Sequence, residues 1–227
     1  MDRLTFPIEI TEMEPGDRVD RKDYAIVAFP VDHRGARAVG YALVEEDRKG
    51  RFNPDLAREL GVPEGPLWGE IHRGRAVTLD DGRVIEPSML VGSPRPGRKI
   101  IVTGDTRPCA GTIEVARGAD LLVHEATFGE EEATRAVETG HSTAREAASV
   151  ARDAGVRTLL LVHFSARYSR DASELGREAR ELFDRTLVGK DGMEVEVEYP
   201  TEDTLTSTVL PNTVVPVTTT HPTDLAE

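Results

Sequence analysis

Cysteine is nearly missing. Cys109 alone in 227 residues leaves no partner for an intramolecular disulfide, and a reducing, cytoplasmic location is expected. Standing near Asp105, it reads as a small buried side chain rather than a nucleophile. No stretch approaches the roughly 20 apolar residues that cross a bilayer, so a membrane span is excluded. The opening Met1-Asp2-Arg3-Leu4-Thr5-Phe6-Pro7 lacks the basic-then-apolar pattern of a signal peptide. Basic charge is also short: 28 Lys and Arg against 41 Asp and Glu leave a net charge of −13, which does not favour phosphate-rich partners. What remains, 38% hydrophobic and 30% charged residues, is a soluble globular balance tilted toward charge, at a length that holds one large or two small domains.

Three short apolar runs each end in a group that can bind a metal or move a proton. Residues 100–102 lead into Gly104-Asp105-Thr106, residues 121–123 into His124-Glu125-Ala126-Thr127, and residues 159–162 into His163-Phe164-Ser165. Continuous apolar runs bounded by turn residues read as buried strands, and in open α/β sheets chemistry gathers where such strands end. Gly140-His141-Ser142-Thr143 precedes a helix whose start, Thr143-Ala144-Arg145-Glu146, has the Thr-x-x-Glu spacing of a capping box. An α/β fold with a carboxylate, a glutamate and one or two imidazoles on one rim is therefore expected.

In chain order, strands are expected over residues 4–10, 24–29 and 40–44, with Val31-Asp32-His33 between the last two. Asn53-Pro54 opens a short helix closed by Gly61, and a hairpin turns at Asp81-Gly82. Ser93-Pro94-Arg95-Pro96-Gly97-Arg98 is a stiff return linker. Helices follow over 144–154, ended by Gly155, and over 173–187, then an edge strand over 193–199. Beyond Pro200 the Thr, Val and Pro composition predicts a disordered tail. Divisions at 1–47, 48–92, 93–200 and 201–227 result.

Gly104-Asp105-Thr106-Arg107-Pro108, His124-Glu125-Ala126-Thr127-Phe128, Gly140-His141-Ser142-Thr143 and Leu161-Val162-His163-Phe164-Ser165-Ala166-Arg167-Tyr168 together resemble the C-terminal motifs of the ribonuclease Z family. These are tRNA 3′-end-processing endonucleases of the metallo-β-lactamase superfamily, and the likeness extends from about Phe6 to about Tyr199. It implies an incomplete metallo-β-lactamase αββα sandwich with an inserted exosite arm at 48–92. It also implies a zinc-dependent endoribonuclease acting on precursor tRNA, two Zn²⁺ per complete site, and a homodimer. The family's His-x-His-x-Asp-His motif does not occur in this sequence. On that ground weak zinc binding and little cleavage are expected of the chain alone, as a fragment, one half of a split gene, or a decayed copy. Exposed sheet edges would then promote oligomerisation.

The resemblance assigns His33 and His163 as metal ligands and Asp105 as the bridge between ions; Glu125 would orient His141, which donates a proton to the leaving 3′ oxygen. Gly65-Pro66 matches the arm's Gly-Pro motif, and Arg73, with Arg48, Lys49, Arg51, Arg58 and Arg75, would hold tRNA phosphates. Arg167 and Tyr168 are further candidates for a phosphate. Plainer readings stand beside these. His33 is a polar loop residue, Asp105 a turn residue, His124 a buried structural one; Glu125 pairs with an arginine while His141 caps the helix; the arm's cations are surface charges balanced by Glu45, Glu46, Asp47, Glu59 and Glu64. Trp68 either stacks on a base or anchors the arm to a partner. The acidic surface itself suits RNA only where high salt screens it. Alternative functions are a non-catalytic tRNA-binding or partner-subunit module, or a phosphodiesterase of the same fold acting on small esters.

Overall fold

Aliphatic residues alternate along Tyr24–Pro30 (β2) and Val39–Glu45 (β3), sending Ala25, Val27, Ala42 and Val44 to one side, and the two runs pair antiparallel with Arg18–Asp20 (β1) beside β2. These strands open a seven-stranded sheet in a computed structural model that describes residues 6–200; the tail expected to be disordered lies outside the described residues.

After Glu45 the chain forms a separate unit, Glu46–Gly97. Its first helix, Pro54–Glu59 (α1), is capped by Asn53, whose side-chain oxygen accepts the Leu56 N–H at 3.0 Å. Pro66–His72 (α2), the hairpin of Val77–Thr78 (β4) and Val84–Ile85 (β5), and Pro87–Leu90 (α3) follow. Ala57, Val62, Ile71, Val77, Leu79, Ile85 and Leu90 give this unit its own core. Gly50 is obligatory there, since a Cβ would lie 1.8 Å from the Gly92 carbonyl oxygen.

From Arg98 onward the chain completes the larger unit. Lys99–Val102 (β6) pairs antiparallel with β3, and Leu121–Glu125 (β7), Leu159–Val162 (β8) and Thr186–Val188 (β9) add in parallel, giving the order β1-β2-β3-β6-β7-β8-β9. Ala110–Ala116 (α4) joins β6 to β7; Ala133–Thr139 (α5) and Ala144–Ala154 (α6) join β7 to β8; Ser173–Arg180 (α7) joins β8 to β9. Parallel neighbours need such crossovers, so these strand ends share one edge of the sheet. The apolar stripe of α6, Ala147, Ala148, Val150, Ala151 and Ala154, is buried with Ile101, Leu122, Leu159 and Leu161. Tyr41 and Val102, directly opposed on β3 and β6 and facing away from that core, stay 41% and 42% exposed.

Three expectations are corrected. Residues 6–10 form no strand: Phe6, Ile8 and Ile10 alternate but are exposed, and a period of two makes a strand only where a neighbour supplies a ladder. The α7 helix ends at Arg180, although Leu182 and Phe183 still pack on the core, because the chain turns into β9 at Thr186. Residues 193–199 are not a strand either. Arginine side chains take their carbonyls, Arg98 donating to Val197 O at 3.0 Å and Arg157 to Glu198 O at 3.1 Å, and β9 is the edge instead.

Candidate active site

Four of the five candidate residues stand just beyond or at the end of a strand. His33 follows β2, Asp105 follows β6 through Gly104 at φ +66°, Glu125 closes β7, and His163 follows β8 at φ +56°, a left-handed conformation rare outside glycine. His141 comes from the loop between α5 and α6. The fold brings all five together. Ligand-capable atoms of His33, Asp105 and His141 lie within 4.8 Å of one another, as do those of Glu125, His141 and His163. His163 Nε2 is 3.4 Å from Asp105 Oδ1, and the His141 ring centroid is 5.1 Å from that of His33 and 5.3 Å from that of His163.

Glu125, 1% exposed, organises the cluster. One carboxylate oxygen accepts the Thr106 N–H at 2.9 Å and His141 Nδ1–H at 2.8 Å; the other accepts the Thr127 N–H at 3.2 Å, the Thr127 hydroxyl at 2.7 Å and the Ser142 N–H at 3.0 Å. With both oxygens engaged, Glu125 is a poor metal ligand. It pairs with a histidine, not an arginine, and Thr143 rather than His141 caps α6, so the plainer readings of both residues are set aside.

The same bonds fix the imidazole tautomers. His33 Nδ1 faces the Gly140 carbonyl at 3.0 Å and must donate. His141 Nδ1 faces a carboxylate and donates as well. The Thr127 hydroxyl gives its proton to Glu125, so His163 Nδ1, 2.8 Å from that hydroxyl, donates to it. Each neutral ring therefore keeps its lone pair on Nε2. Three imidazoles with tethered Nδ1–H groups and one carboxylate make a donor set that fits a divalent ion of the zinc type, with the outer hydrogen bonds that steady such ligands already in place.

Residues the sequence reading passed over complete the frame. Thr127 links Glu125 to His163, and the Ser142 hydroxyl donates to Thr106 O at 2.6 Å. Arg107 donates to His141 O at 2.6 Å and pairs with Glu146. Thr127, Ser142, Thr106 and Arg107 each sit within two residues of a candidate, and Glu146 is the far member of the capping box that follows His141, so that adjacency was the available signal. His124 is buried, donates Nδ1–H to the Glu125 carbonyl at 2.7 Å, and has no partner for Nε2 among the described residues; burial holds its imidazole below the usual histidine range.

Gly65, Pro66 and Arg73 belong to the Glu46–Gly97 unit. Gly65, at φ +132°, precedes Pro66 at the start of α2, and Arg73 ends that helix paired with Glu70. Arg75 also meets Glu70, and Arg58 meets Asp55 and Glu64 at 2.7 Å each while lying over Trp68. Trp68 donates to Val62 O at 3.2 Å and packs on Phe52, which makes it an anchor within its own unit. In the larger unit, Arg167 is paired with Glu132, and the Tyr168 hydroxyl donates to Glu131.

Comparison with known proteins adds the following. A β-lactamase superfamily domain profile matches residues 75–164. Ribonuclease Z of Gemmatimonas aurantiaca is 62% identical over 88% of this chain and 64% of its own length. Ribonuclease Z of Myxococcus xanthus is 54% identical over 87% and 64%, and that of Haloferax volcanii 54% identical over 87% and 63%. The chain thus spans just under two thirds of the length of these curated relatives. Among solved structures, the short form of human tRNase Z aligns at a TM-score of 0.48 and 22% identity, covering 79% of this chain and 46% of that one.

Proposed function

The chain belongs to the ribonuclease Z family of the metallo-β-lactamase superfamily, and from that premise we propose that it serves in a zinc-dependent endoribonuclease that removes the 3′ trailer from tRNA precursors. The observation that carries the reading is the convergence of His33, His141 and His163 around Asp105, each ring tethered through Nδ1. His33, Asp105 and His163 would hold zinc, the carboxylate having two oxygens to share between ions; two four-coordinate ions take more ligands than these three. When bound, the ions supply Lewis-acid stabilisation and a water activated at neutral pH.

The chain's own residues do the rest. Glu125 holds His141 by its Nδ1–H and pairs the ring's positive charge when it carries one, so that Nε2–H can be given to the leaving 3′ oxygen. Arg107, on the His141 carbonyl, keeps the loop that carries the acid in place. The Glu46–Gly97 unit would hold the precursor tRNA through Gly65, Pro66 and Arg73, and the protein would act as a homodimer in the cytoplasm.

The test compares His141→Ala with His33→Ala, each in an enzyme complete in its metal ligands, for bound zinc and for cleavage of a precursor tRNA. His141→Ala should lower turnover on the order of 10²–10⁴-fold at unchanged zinc content, as loss of a general acid does. His33→Ala should lose zinc and turnover together. Equal loss of both in His141→Ala moves that residue among the ligands. Cleavage of a simple phosphodiester without any cleavage of precursor tRNA overturns the substrate assignment.

A further inference from the structure

We propose that Arg34 binds a phosphate of the RNA beside the bond to be cleaved, as a substrate contact that positions the strand; this rests on the nuclease reading above. The backbone supplies the first reason. His33-Arg34-Gly35-Ala36 is a tight turn in which Ala36 N–H donates to His33 O at 2.9 Å, with φ +52° at Arg34 and +74° at Gly35. Positive φ at both central positions is the mark of a type I′ turn, where glycine or asparagine is comfortable and a long side chain is not. Among the described residues, Arg34 and His163 are the only non-glycines with positive φ, and both stand at this site. A strained conformation retained at a functional cluster points to use of the side chain.

The side chain supplies the second. Its stem crosses Gly140, the residue whose carbonyl anchors His33 and which immediately precedes His141: a Cβ on Gly140 would lie 2.6 Å from Arg34 Cγ and 3.2 Å from Cδ. The residue is exposed, and it takes part in no hydrogen bond or ion pair among the described residues. Two other arginines of the same unit are committed, Arg107 to Glu146 and the His141 carbonyl, Arg167 to Glu132. A phosphodiester extends its negative charge beyond the atoms that metal ions would hold, and a guanidinium beside them offers a planar fork of N–H donors matched to phosphate oxygens.

Binding of a single-stranded oligoribonucleotide, followed by fluorescence anisotropy over a series of NaCl concentrations, tests this with wild type, Arg34→Gly and Arg34→Lys. Glycine suits the turn, so Arg34→Gly removes the cation without straining the loop, and thermal melting verifies that the fold is kept. Arg34→Gly should weaken binding about tenfold. The slope of log Kd against log salt should become shallower by roughly 0.7, the value for one lost phosphate contact on a single strand. Arg34→Lys should keep the slope and part of the affinity. Wild-type affinity and slope in Arg34→Gly overturn the assignment and leave the nuclease reading standing. Weaker binding at unchanged slope means that Arg34 only holds the loop, and also overturns it. A wild-type chain that binds no RNA overturns both readings.

Discussion

Glu125 and Lys99 are both buried ionisable residues, and the structure treats them oppositely. Glu125 accepts five hydrogen bonds, which compensate the desolvation of its charge. Lys99, 5% exposed at the start of β6, has among the described residues only the Arg117 carbonyl at 3.3 Å for its ammonium, and Asp120 nearby is already paired with Arg157. Burial pushes its pKa from 10.5 down to about 8, with Asp120 opposing the shift. Between those values the unfolded chain binds more protons than the folded one, so stability rises with pH across this window, and the cost of burying the charge is fully present below about 8. Lys99→Met should therefore be more stable than wild type at pH 7, by up to roughly 3 kcal/mol, and its margin should shrink steadily as the pH climbs from 8 toward 10. Denaturant unfolding of both proteins at several pH values measures that margin; one that stays constant contradicts it. Neither environment was legible in the sequence, because Glu125 depends on donors from Thr106 and Ser142, 19 and 17 residues away, and Lys99 on Asp120, 21 away.

Among the elements, α6 was the most legible, since each of its determinants is local. Thr143 accepts the Glu146 N–H at 3.1 Å, Glu146 accepts the Thr143 N–H at 2.9 Å, and Gly155 ends the helix in the left-handed conformation. Elements whose existence depends on a distant partner were not legible in the same way. Residues 6–10 and 193–199 have strand-like alternation and no ladder, and the end of α7 was decided by β9. The candidate residues themselves were found through motif likeness, and their mutual geometry, such as His33 on a carbonyl 107 positions away, came only from the fold. The cap also reaches the site, because Glu146 binds Arg107, which holds the His141 carbonyl. Thr143→Ala should cost about 1 kcal/mol of stability, the usual price of a lost N-cap. Thermal melting checks this, and an unchanged melting temperature would mean that the cap is dispensable.

Across the whole chain, the excess of acid is the property that composition alone made plain, and its consequence is physical before it is functional. A net charge of −13 repels itself, more in the folded state, where charges are closer, than in the unfolded one. Several cations that composition left open to RNA are paired with neighbouring carboxylates: Arg58 with Asp55 and Glu64, Arg75 with Glu70, Arg98 with Glu45. Screening shortens from about 10 Å at 0.1 M salt to about 3 Å at 1 M. Raising NaCl at pH 7 should therefore increase the melting temperature by a few degrees despite weakening those exposed pairs. Salt also strengthens burial of apolar surface at any pH, so the charge effect has to be isolated. The isoelectric point of about 5.0 provides the control, because near it the net repulsion vanishes. Melting curves at low and high NaCl should differ clearly at pH 7 and converge near pH 5. An equal rise at both pH values would assign the stabilisation to apolar burial and remove self-repulsion as a determinant of this fold.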